Sequence, residues 1–383
     1  MIRVGIIGSG FIGPAHIDAI RRLGFVDVVA LAENSVETTQ QKARQLNIPH
    51  AYGSVTDLLN HPDIDVIHNC TPNHLHAAIN KQIILAGKHV FSEKPLCMTS
   101  EEARELVSLA QKQGIVHGVS FVYRQFGMVQ QAASMIKQLE IGRIFAVHGG
   151  YLQDWMLYET DYNWRVEAAF GGISRTVADI GSHWCDTIQF ITGKKITEVF
   201  ADFAIVHPTR KSSRRGSSTF SSSDATTEYD DKPVNTEDYA AILLRFNDGS
   251  RGSFTVSQVS AGRKNRLTFE INGSKKSLAW DQETPQNLWI GYRDKPNEWL
   301  SDDPSLMNRD AASSVHFPGG HIEGWPDAFK NMMANFYTYL RDGKQPNVDP
   351  TNFATFNDGA NVVFIIDAIV QSHQQQRWVH VAD

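Results

Sequence analysis

The sequence has few cysteines, no long apolar run and no excess of basic charge. Its three cysteines, Cys70, Cys97 and Cys185, are odd in number and far apart, which argues against a disulfide framework and a Cys-x-x-Cys metal site. No stretch approaches the roughly 18 apolar residues of a membrane span. The opening "MIRVGIIGSG" carries no targeting segment. We therefore expect a cytoplasmic protein with free thiols.

The size and charge of the chain narrow its class further. A chain of 383 residues exceeds what one hydrophobic core usually serves, so two domains are expected. The net charge of −6, with 20% charged and 42% hydrophobic residues, is typical of a globular protein. This balance gives no reason to expect nucleic acid or an anionic membrane as partner.

The first 120 residues alternate between short β-branched runs and helical patterns. "IRVGII", "VDVVALA", "DVIHNC", "KHVFSE" and "IVHGVSF" read as strands, and amphipathic segments separate them. Alternation at this spacing indicates βαβ units and a parallel, doubly wound sheet. The ligand of such a sheet binds beyond the carboxyl ends of its strands. We predict a dinucleotide-binding Rossmann domain over 1–122.

A glycine-rich loop follows the first predicted strand and opens a helix. Its residues, all predicted to contact the cofactor, are Gly8, Ser9, Gly10, Phe11, Ile12 and Gly13. The glycines allow a tight turn, approach of a pyrophosphate and close helix packing, and the helix start offers N–H groups to phosphate. The alternative is a tight βα turn without a ligand.

Glu33 ends the second predicted strand, 20 residues after Gly13. That spacing is expected for an acid that binds the adenosine ribose, and a carboxylate repels a 2′-phosphate. Lys42 and Arg44 lie too far along the next helix to change this interpretation. We therefore expect NAD rather than NADP.

"NCTPNHLHAAI" and "AGKHVFSEKPL" resemble the dinucleotide domain of the Gfo/Idh/MocA oxidoreductase family. The resemblance implies that Thr71, Pro72 and Asn73 line the cofactor. His74 and His76 open the next helix, where capping or packing is the favoured role. Four more residues are predicted to contact the cofactor: His76, Glu93, Lys94 and Tyr123.

Lys94 precedes a proline at the end of a predicted strand. A residue before proline is pushed towards extended geometry, so Lys94 should lie at the ligand-binding edge of the sheet. An ammonium there could stabilise negative charge on a substrate oxygen. The alternative is a Glu93–Lys94 ion pair on the surface, which would contribute little to the stability of the fold. The family resemblance implies a catalytic Lys94.

The second half of the chain shows long alternating strands with turn signals such as "NDGS" and "NGSK". We predict an α+β substrate-binding domain over 123–383: an open, mostly antiparallel sheet with helices on one face, whose last helix packs back on the first domain. In the family this sheet meets another subunit, which implies a homodimer or homotetramer. The serine-rich stretch 208–236 reads as a long mobile loop.

Asp179 and His183 lie four residues apart, which places them on one face of a predicted helix. A histidine held by a carboxylate can act as a general base. A metal site and a buried, merely packed histidine are the alternatives, and no third metal ligand stands at a supporting spacing. The D-x-G-x-H pattern matches the second catalytic signature of the family. With Lys94 the pair forms a trio suited to alcohol oxidation, in which either His183 or Lys94 is the base.

Polar and aromatic residues surround these candidates in the sequence and suit a neutral, polyhydroxylated substrate. Arg124, Asp154, Arg175, Glu323 and Trp325 are further candidates. The predicted substrate contacts are Lys94, Tyr123, Gln153, Trp155, Trp164, Arg165, Asp179, His183 and His321. Stretches such as "SQVSAGRKN" and "PGGHIEGW" resemble the family branch that contains levoglucosan and inositol dehydrogenases.

The favoured function is therefore NAD-dependent oxidation of a hydroxyl group on a sugar, anhydrosugar or cyclitol. Two other classes stay open. The family includes glycosidases that oxidise and re-reduce the sugar around an elimination step. A non-catalytic NAD-binding sensor could use the same fold, although Lys94, Asp179 and His183 argue against it.

Overall fold

The computed structural model describes residues 1–213, 228–346 and 348–382. The chain forms two compact units. The first unit contains Met1–Val122 and Trp325–Val363, and the second contains Tyr123–Gly324 and Phe364–Asp383. The predicted domains, 1–122 and 123–383, assign Trp325–Val363 to the second domain, whereas the structure includes this segment in the first unit. The domain boundaries stay a prediction about independent folding.

Seventeen strands are described. They are β1 (Ile2–Ile7), β2 (Val26–Ala32), β3 (His50–Tyr52), β4 (Val66–Asn69), β5 (His89–Ser92), β6 (His117–Val119), β7 (Ile144–Leu152), β8 (Ile196–Ala204), β9 (Thr209–Ser213), β10 (Tyr229–Pro233), β11 (Tyr239–Phe246), β12 (Arg251–Ser257), β13 (Arg266–Gly273), β14 (Ser277–Asp281), β15 (Asn287–Gly291), β16 (Glu298–Ser301) and β17 (Val379–His380).

The described α-helices number eleven. They are α1 (Gly13–Arg21), α2 (Val36–Gln45), α3 (Val55–Leu59), α4 (Asn73–Leu85), α5 (Ser100–Gln113), α6 (Gly127–Lys137), α7 (Ala168–Gly171), α8 (Ser182–Thr192), α9 (Arg309–Ala312), α10 (Trp325–Arg341) and α11 (Phe356–Gln375). Two 3₁₀ turns, Val122–Gln125 and Trp164–Val166, and one π-helical turn, Val177–Gly181, complete the set.

The first unit is built on a six-stranded parallel sheet in the order β3-β2-β1-β4-β5-β6. The apolar run of β1 is buried from Val4 to Ile7 because the strand lies inside the sheet and is covered on both faces. The strand order reverses between β1 and β4, and ligands of such sheets bind at the carboxyl ends beside this reversal. The predicted doubly wound Rossmann fold is confirmed.

The second unit is built on a nine-stranded sheet in the order β16-β15-β14-β13-β7-β12-β11-β8-β17. All neighbouring strands are antiparallel except β7 and β12, which are parallel. Alternate side chains of β11 are buried, since one face of the sheet packs on the core. The predicted mostly antiparallel sheet is confirmed.

The prediction that the serine-rich stretch 208–236 is one long loop was wrong. Its ends pair as the antiparallel strands β9 and β10, and its middle, 214–227, lies outside the described residues. Arg210 of β9 is fully buried, and its guanidinium donates to the carbonyl oxygens of Tyr158 and Asp161, both at 2.9 Å. These partners lie about 50 residues away, so local composition could not reveal them.

Across the described ranges, no helix is long and apolar enough to cross a membrane.

Candidate active site

The glycine loop has the geometry that a bound pyrophosphate requires. Gly8 has φ +88°, and a Cβ there would lie 2.7 Å from the carbonyl oxygen of Cys70. A Cβ on Gly13 would lie 2.4 Å from the carbonyl oxygen of Gly8, so α1 can approach β1 only with glycine here. At Gly10, no atom of the described residues would lie within 4 Å of a Cβ. This open space above the start of α1 fits a dinucleotide phosphate group.

Glu33 follows β2 and is held against the same loop. Its Oε1 accepts from the Ser9 N–H at 2.7 Å, the Ser9 hydroxyl at 2.5 Å and Lys42 Nζ at 3.0 Å. Burial alone would raise the pKa of Glu33, but these three donors outweigh it and lower the pKa, so the group is a carboxylate. Lys42, in the second turn of α2, is closer to Glu33 than its place in the sequence suggested, and this contact leaves the NAD prediction unchanged.

The segment after β4 is tied to the segment after β5 by His76. The side chain of His76 is buried in α4, with Nδ1 2.7 Å from the Pro95 carbonyl oxygen and Nε2 2.7 Å from the Thr71 carbonyl oxygen. Burial lowers the pKa of His76. The Thr71 hydroxyl donates to Asn69 Oδ1 at 2.7 Å. His76 therefore fixes both motifs, and its contact with the cofactor stays a prediction, as do those of Pro72 and Asn73, which begin the helix.

Glu93 is a buried residue and not part of a surface pair. Its Oε1 lies 2.9 Å from His16 Nε2, and its Oε2 accepts the backbone N–H of Lys94 at 3.2 Å. Burial would raise the pKa of Glu93, but His16, the Lys94 charge and Ser120 lower it to about 2. Lys94 therefore follows a stable buried carboxylate at the carboxyl end of β5, the edge at which parallel sheets bind ligands.

Asp179 and His183 belong to the second unit. The prediction that they share one regular helix was wrong. Asp179 lies in the π-helical turn Val177–Gly181, and His183 lies in the first turn of α8. A π turn inserts an extra residue per turn and often occurs at functional sites. The four-residue spacing therefore gives a different angular offset from the one that a regular helix would give.

Gln258 and Arg165 both contact the Asp179 carboxylate. Gln258 Nε2 donates to Asp179 Oδ2 at 2.8 Å, and Arg165 Nε lies 3.8 Å from Asp179 Oδ1. The guanidinium of Arg165 also lies over the Trp164 ring, 4.5 Å from its centroid. Three of the predicted substrate-site residues thus form one group.

His183 is buried among aromatic rings. The Tyr123 ring stands edge-on to it with centroids 5.0 Å apart, and the Tyr151 centroid lies at 6.3 Å. The two tyrosine hydroxyls share a very short hydrogen bond. Burial raises the pKa of Tyr123 to about 12, and burial with the neighbouring Tyr123 raises that of Tyr151 well above its usual value. Both tyrosines are therefore neutral hydroxyl groups.

Asn265 connects this pair to the other predicted contacts. Its Nδ2 donates to Tyr123 Oη at 3.0 Å, while its Oδ1 accepts from Tyr151 Oη at 2.5 Å and Gln153 Nε2 at 2.8 Å. Trp155 Nε1 in turn donates to Gln153 Oε1 at 2.9 Å. One hydrogen-bonded array thus joins Tyr123 to Trp155.

The remaining candidates have other roles or places. Arg124 forms a buried ion pair with Asp186, and Arg175 forms one with Asp238. Asp154 accepts hydrogen bonds from Lys264 and Gly262, and Glu323 accepts them from the backbone of His316 and Phe317. His321 is exposed, and its Nδ1 lies 3.1 Å from the Pro318 carbonyl oxygen. Trp325 begins α10 in the first unit. Among the described residues, no group of three or more His, Cys, Asp and Glu side chains could hold a metal ion.

Four residues of these arrays were not predicted from the sequence: His16, Tyr151, Gln258 and Asn265. Two carried a usable signal. Gln258 directly follows the alternating strand β12, and a polar residue at a strand end often faces a site. Asn265 precedes β13 within the quoted "SQVSAGRKN" stretch. His16 and Tyr151 lie inside regular elements, where sequence alone does not separate packing from chemistry.

Comparison with known proteins places this geometry in a family. Residues 2–121 match the model described as "Oxidoreductase family, NAD-binding Rossmann fold", and residues 129–279 match the GFO/IDH/MocA C-terminal domain. Levoglucosan dehydrogenase from Pseudarthrobacter phenanthrenivorans is 30% identical over 401 aligned residues, covering 99% of this chain and 98% of the relative.

Two solved structures are similar over the same extent. Levoglucosan dehydrogenase in complex with NADH and levoglucosan has a TM-score of 0.88 at 27% identity, with all of both chains covered. An inositol dehydrogenase homologue with NAD⁺ from Azotobacter vinelandii has a TM-score of 0.86 at 25% identity, covering 99% of this chain and 97% of that one.

These matches confirm the predicted family, the predicted oxidoreductase class and the NAD-binding Rossmann domain. The matched regions cover the glycine loop, Lys94, Asp179 and His183. The chain belongs to the GFO/IDH/MocA oxidoreductase family.

Proposed function

We propose that this protein oxidises a hydroxyl group of a sugar, anhydrosugar or cyclitol and transfers hydride to NAD. The observation that carries the proposal is the neutral polar array beside Asp179 and His183. Tyrosine hydroxyls and side-chain amides match hydroxyl groups, which both donate and accept hydrogen bonds. The full-length similarity to a levoglucosan dehydrogenase supports the same substrate class.

The residues of the first unit would hold NAD. The glycine loop would receive the pyrophosphate, and Thr71, Pro72 and Asn73 would line the path towards the nicotinamide. Ser9 and Lys42 both donate their hydrogen bonds to Glu33 Oε1, and no group of the described residues donates to Glu33 Oε2. Oε2 would therefore bind the adenosine ribose hydroxyls, and the carboxylate would repel a 2′-phosphate.

Bound NAD would supply the acceptor for hydride. His183 takes the hydroxyl proton, while Asp179, held by Gln258, orients the base or the substrate. Lys94 donates to the same substrate oxygen and stabilises the negative charge that develops as the proton leaves. Tyr123, Gln153, Trp155, Trp164 and Arg165 bind the remaining hydroxyls and one face of the ring, and the exposed His321 is a further proposed contact.

The test is reduction of NAD or NADP by purified protein with inositols, anhydrosugars, free sugars and glycosides. Reduction of NAD by one substrate group is expected. Lys94→Met and His183→Asn should each lower kcat by about 100-fold or more. Lys88→Met, directly before β5, and His380→Asn, an exposed histidine of β17, are matched controls that should retain activity.

Three results would contradict the proposal. Reduction of NADP alone would overturn the role of Glu33. Release of free sugar from a glycoside without net NADH would identify the glycosidase alternative. Full turnover by both Lys94→Met and His183→Asn under chemistry-limited conditions would exclude the trio.

We also propose a homo-oligomer, a dimer or tetramer, that assembles through the open face of the nine-stranded sheet. The strand registers align one row of side chains across this face, and Trp299 and Leu243 in the row are strongly exposed. The row is Trp299, Trp289, Ala279, Glu270, His148, Ser253, Leu243 and Phe200. Light scattering of Trp299→Lys/Leu243→Lys should show a smaller particle than the wild type; equal masses would contradict this interface.

A cytoplasmic location is proposed as well. Cys70, Cys97 and Cys185 are all buried free thiols, as expected in a reducing compartment. Fractionation of the producing cells should recover the protein with cytoplasmic markers; recovery in a secreted fraction would contradict this location.

A further inference from the structure

A line of buried polar side chains leads away from the residue before Lys94. His16 Nε2 lies 2.9 Å from Glu93 Oε1, and His16 Nδ1 lies 2.7 Å from His68 Nδ1. His68 Nε2 lies 2.6 Å from the Tyr337 hydroxyl. We call Glu93, His16, His68 and Tyr337 the buried histidine chain. Its members come from β4, α1, α10 and the segment after β5, so it exists only in the folded first unit.

Apolar rings enclose the buried histidine chain. His16, His68 and Tyr337 have no exposed surface. Phe91 stacks on His68 with centroids 5.1 Å apart, and Phe329 stands edge-on to His16 at 5.0 Å. Water is therefore excluded, and the polar atoms must satisfy one another.

The hydrogen-bond partners restrict the protons of the chain. A carboxylate can only accept, so His16 Nε2 must donate to Glu93. If His16 is neutral, its Nδ1 accepts from His68 Nδ1–H, and His68 Nε2 accepts from Tyr337. If His16 is protonated, the last two bonds reverse direction. In both arrangements His16 donates to an ionised Glu93, and His68, whose pKa burial lowers, is neutral.

We propose that His16, supported by His68 and Tyr337, is a positioning residue for the oxidation reaction, because its hydrogen bond holds the Glu93 carboxylate in place and thereby fixes the Lys94 segment. Glu93 Oε2 accepts the Lys94 backbone N–H, and His76 contacts the carbonyl of Pro95 on the other side. The inference rests on the catalytic role proposed for Lys94.

The groups facing Glu93 determine what happens when His16 is lost. They are His16 from α1, Cys70 after β4, His76 from α4, Lys94 and Ser120 after β6. With His16 present, the pKa of Glu93 lies near 2. Without its donor, burial favours the protonated carboxyl at higher pH. The protonated group has lost its negative charge and would be a weaker acceptor for the Lys94 backbone.

The experiment compares the pH dependence of kcat for His16→Leu, His16→Gln and the wild type. His16→Leu should lower kcat at pH 6 by about tenfold or more, with partial recovery at pH 9. His16→Gln retains an N–H donor near the position of Nε2 and should retain most of the activity at pH 6. Parallel pH profiles for all three proteins, with equal kcat, would overturn the proposal.

Tyr337→Phe removes the far end of the buried histidine chain and should cause a smaller loss in the same pH range. Tyr339→Phe is the matched control, because this buried hydroxyl two residues along α10 donates instead to the Gln345 carbonyl oxygen at 2.7 Å. Equal effects of the two variants would show a structural role alone and would overturn the proposal.

A spectroscopic measurement separates this inference from the proposed function. Long-range ¹H–¹⁵N correlation of imidazole-labelled wild type, assigned with His16→Gln and His68→Asn, should show a protonated His16 Nε2 throughout pH 6–9. An unprotonated Nε2 would overturn the buried histidine chain. If Lys94→Met were fully active while His16 Nε2 stayed protonated, the catalytic role of Lys94 would be wrong and the proposed positioning role would fail with it, although the chain itself would stand.

Discussion

Gln258 Nε2 donates a 2.8 Å hydrogen bond to Asp179 Oδ2, which joins the end of β12 to the π-helical turn that carries this candidate catalytic carboxylate. Gln258 is fully buried, and its backbone N–H donates to the Asp238 carbonyl oxygen at 3.0 Å. The Gln258 carbonyl oxygen accepts from the Met156 N–H at 3.1 Å. The backbone of the residue that contacts Asp179 is therefore fixed by hydrogen bonds to segments that flank the strands β11 and β7.

Replacement of Gln258 should impair catalysis without unfolding the protein. Gln258→Leu removes a hydrogen bond to a charged group, worth about 1.5–3 kcal/mol, so kcat/KM should fall by about 10- to 100-fold. Gln131→Leu is a control, because this buried glutamine of α6 accepts from the Asn308 N–H at 2.8 Å and not from the site. Steady-state kinetics with equal losses for both variants would contradict a specific role for Gln258.

Glu33 should determine the choice of cofactor. Glu33→Ser removes the carboxylate and leaves Lys42 to meet a 2′-phosphate, so the ratio of kcat/KM for NAD over NADP should fall by about tenfold or more. The comparison variant is Glu37→Gln, an exposed carboxylate in the first turn of α2 that should leave the ratio unchanged. An unchanged ratio in Glu33→Ser would show that the ribose is bound elsewhere.

His117 should make the stability of the protein depend on pH. Its Nδ1 accepts the Phe356 N–H at 3.0 Å, and burial lowers its pKa to about 4. Since the unfolded histidine titrates near 6.5, the unfolded state binds more protons between these values. The contribution is fully present above pH 6.5 and is lost as pH falls towards 4, by about 3 kcal/mol in all.

Urea unfolding of wild type and His117→Asn at pH 7.5 and 4.5 measures this effect. The amide oxygen of asparagine can accept the same N–H and does not titrate, so the variant should show a smaller drop in the free energy of unfolding. His61→Asn is the control, because Nδ1 of this partly exposed histidine accepts the Asp63 N–H at 3.2 Å. The same drop in wild type and His117→Asn would exclude His117 as the cause.

Arg210 and its sequence neighbour Lys211 should differ strongly in their contribution to stability. Arg210 pairs with the buried Asp238 at 2.6 Å, so Arg210→Leu leaves a buried charge without this partner and should cost about 3–5 kcal/mol. Lys211 Nζ pairs with Glu159 Oε1 at 2.6 Å on the surface, where water screens both charges, so Lys211→Leu should change the free energy of unfolding far less. Denaturant unfolding with similar losses for both would contradict the structural role of Arg210.

Local signals in the sequence predicted the framework of the site. The glycine loop, Glu33 and Lys94 stand next to strand ends, and Ser9 meets Glu33 because they follow the adjacent parallel strands β1 and β2. These positions lie at strand ends of successive βαβ units, where turn geometry and hydrophobic periodicity restrict the chain strongly. The parallel first sheet and the antiparallel second sheet were predictable for the same reason.

Tertiary structure alone decided the partners of the buried polar groups. Arg210 lies in a serine-rich stretch that reads as a loop, yet it meets Asp238 and the carbonyls near Tyr158 inside the second unit. The contact of Lys42 with Glu33 depends on how α2 lies against β2. Sequence composition describes how polar a segment is, but not which distant groups compensate its burial.

The sequence by itself therefore determined the order of strands and helices, the glycine loop and the residue types available for chemistry, because these depend on backbone sterics and periodicity over a few residues. Only the tertiary structure decided that Asp179 lies in a π-helical turn held by Gln258, and that Glu93 meets His16 and not solvent. Those contacts join residues that are between 77 and 79 positions apart. Burial and hydrogen-bond geometry select such partners once the chain has folded.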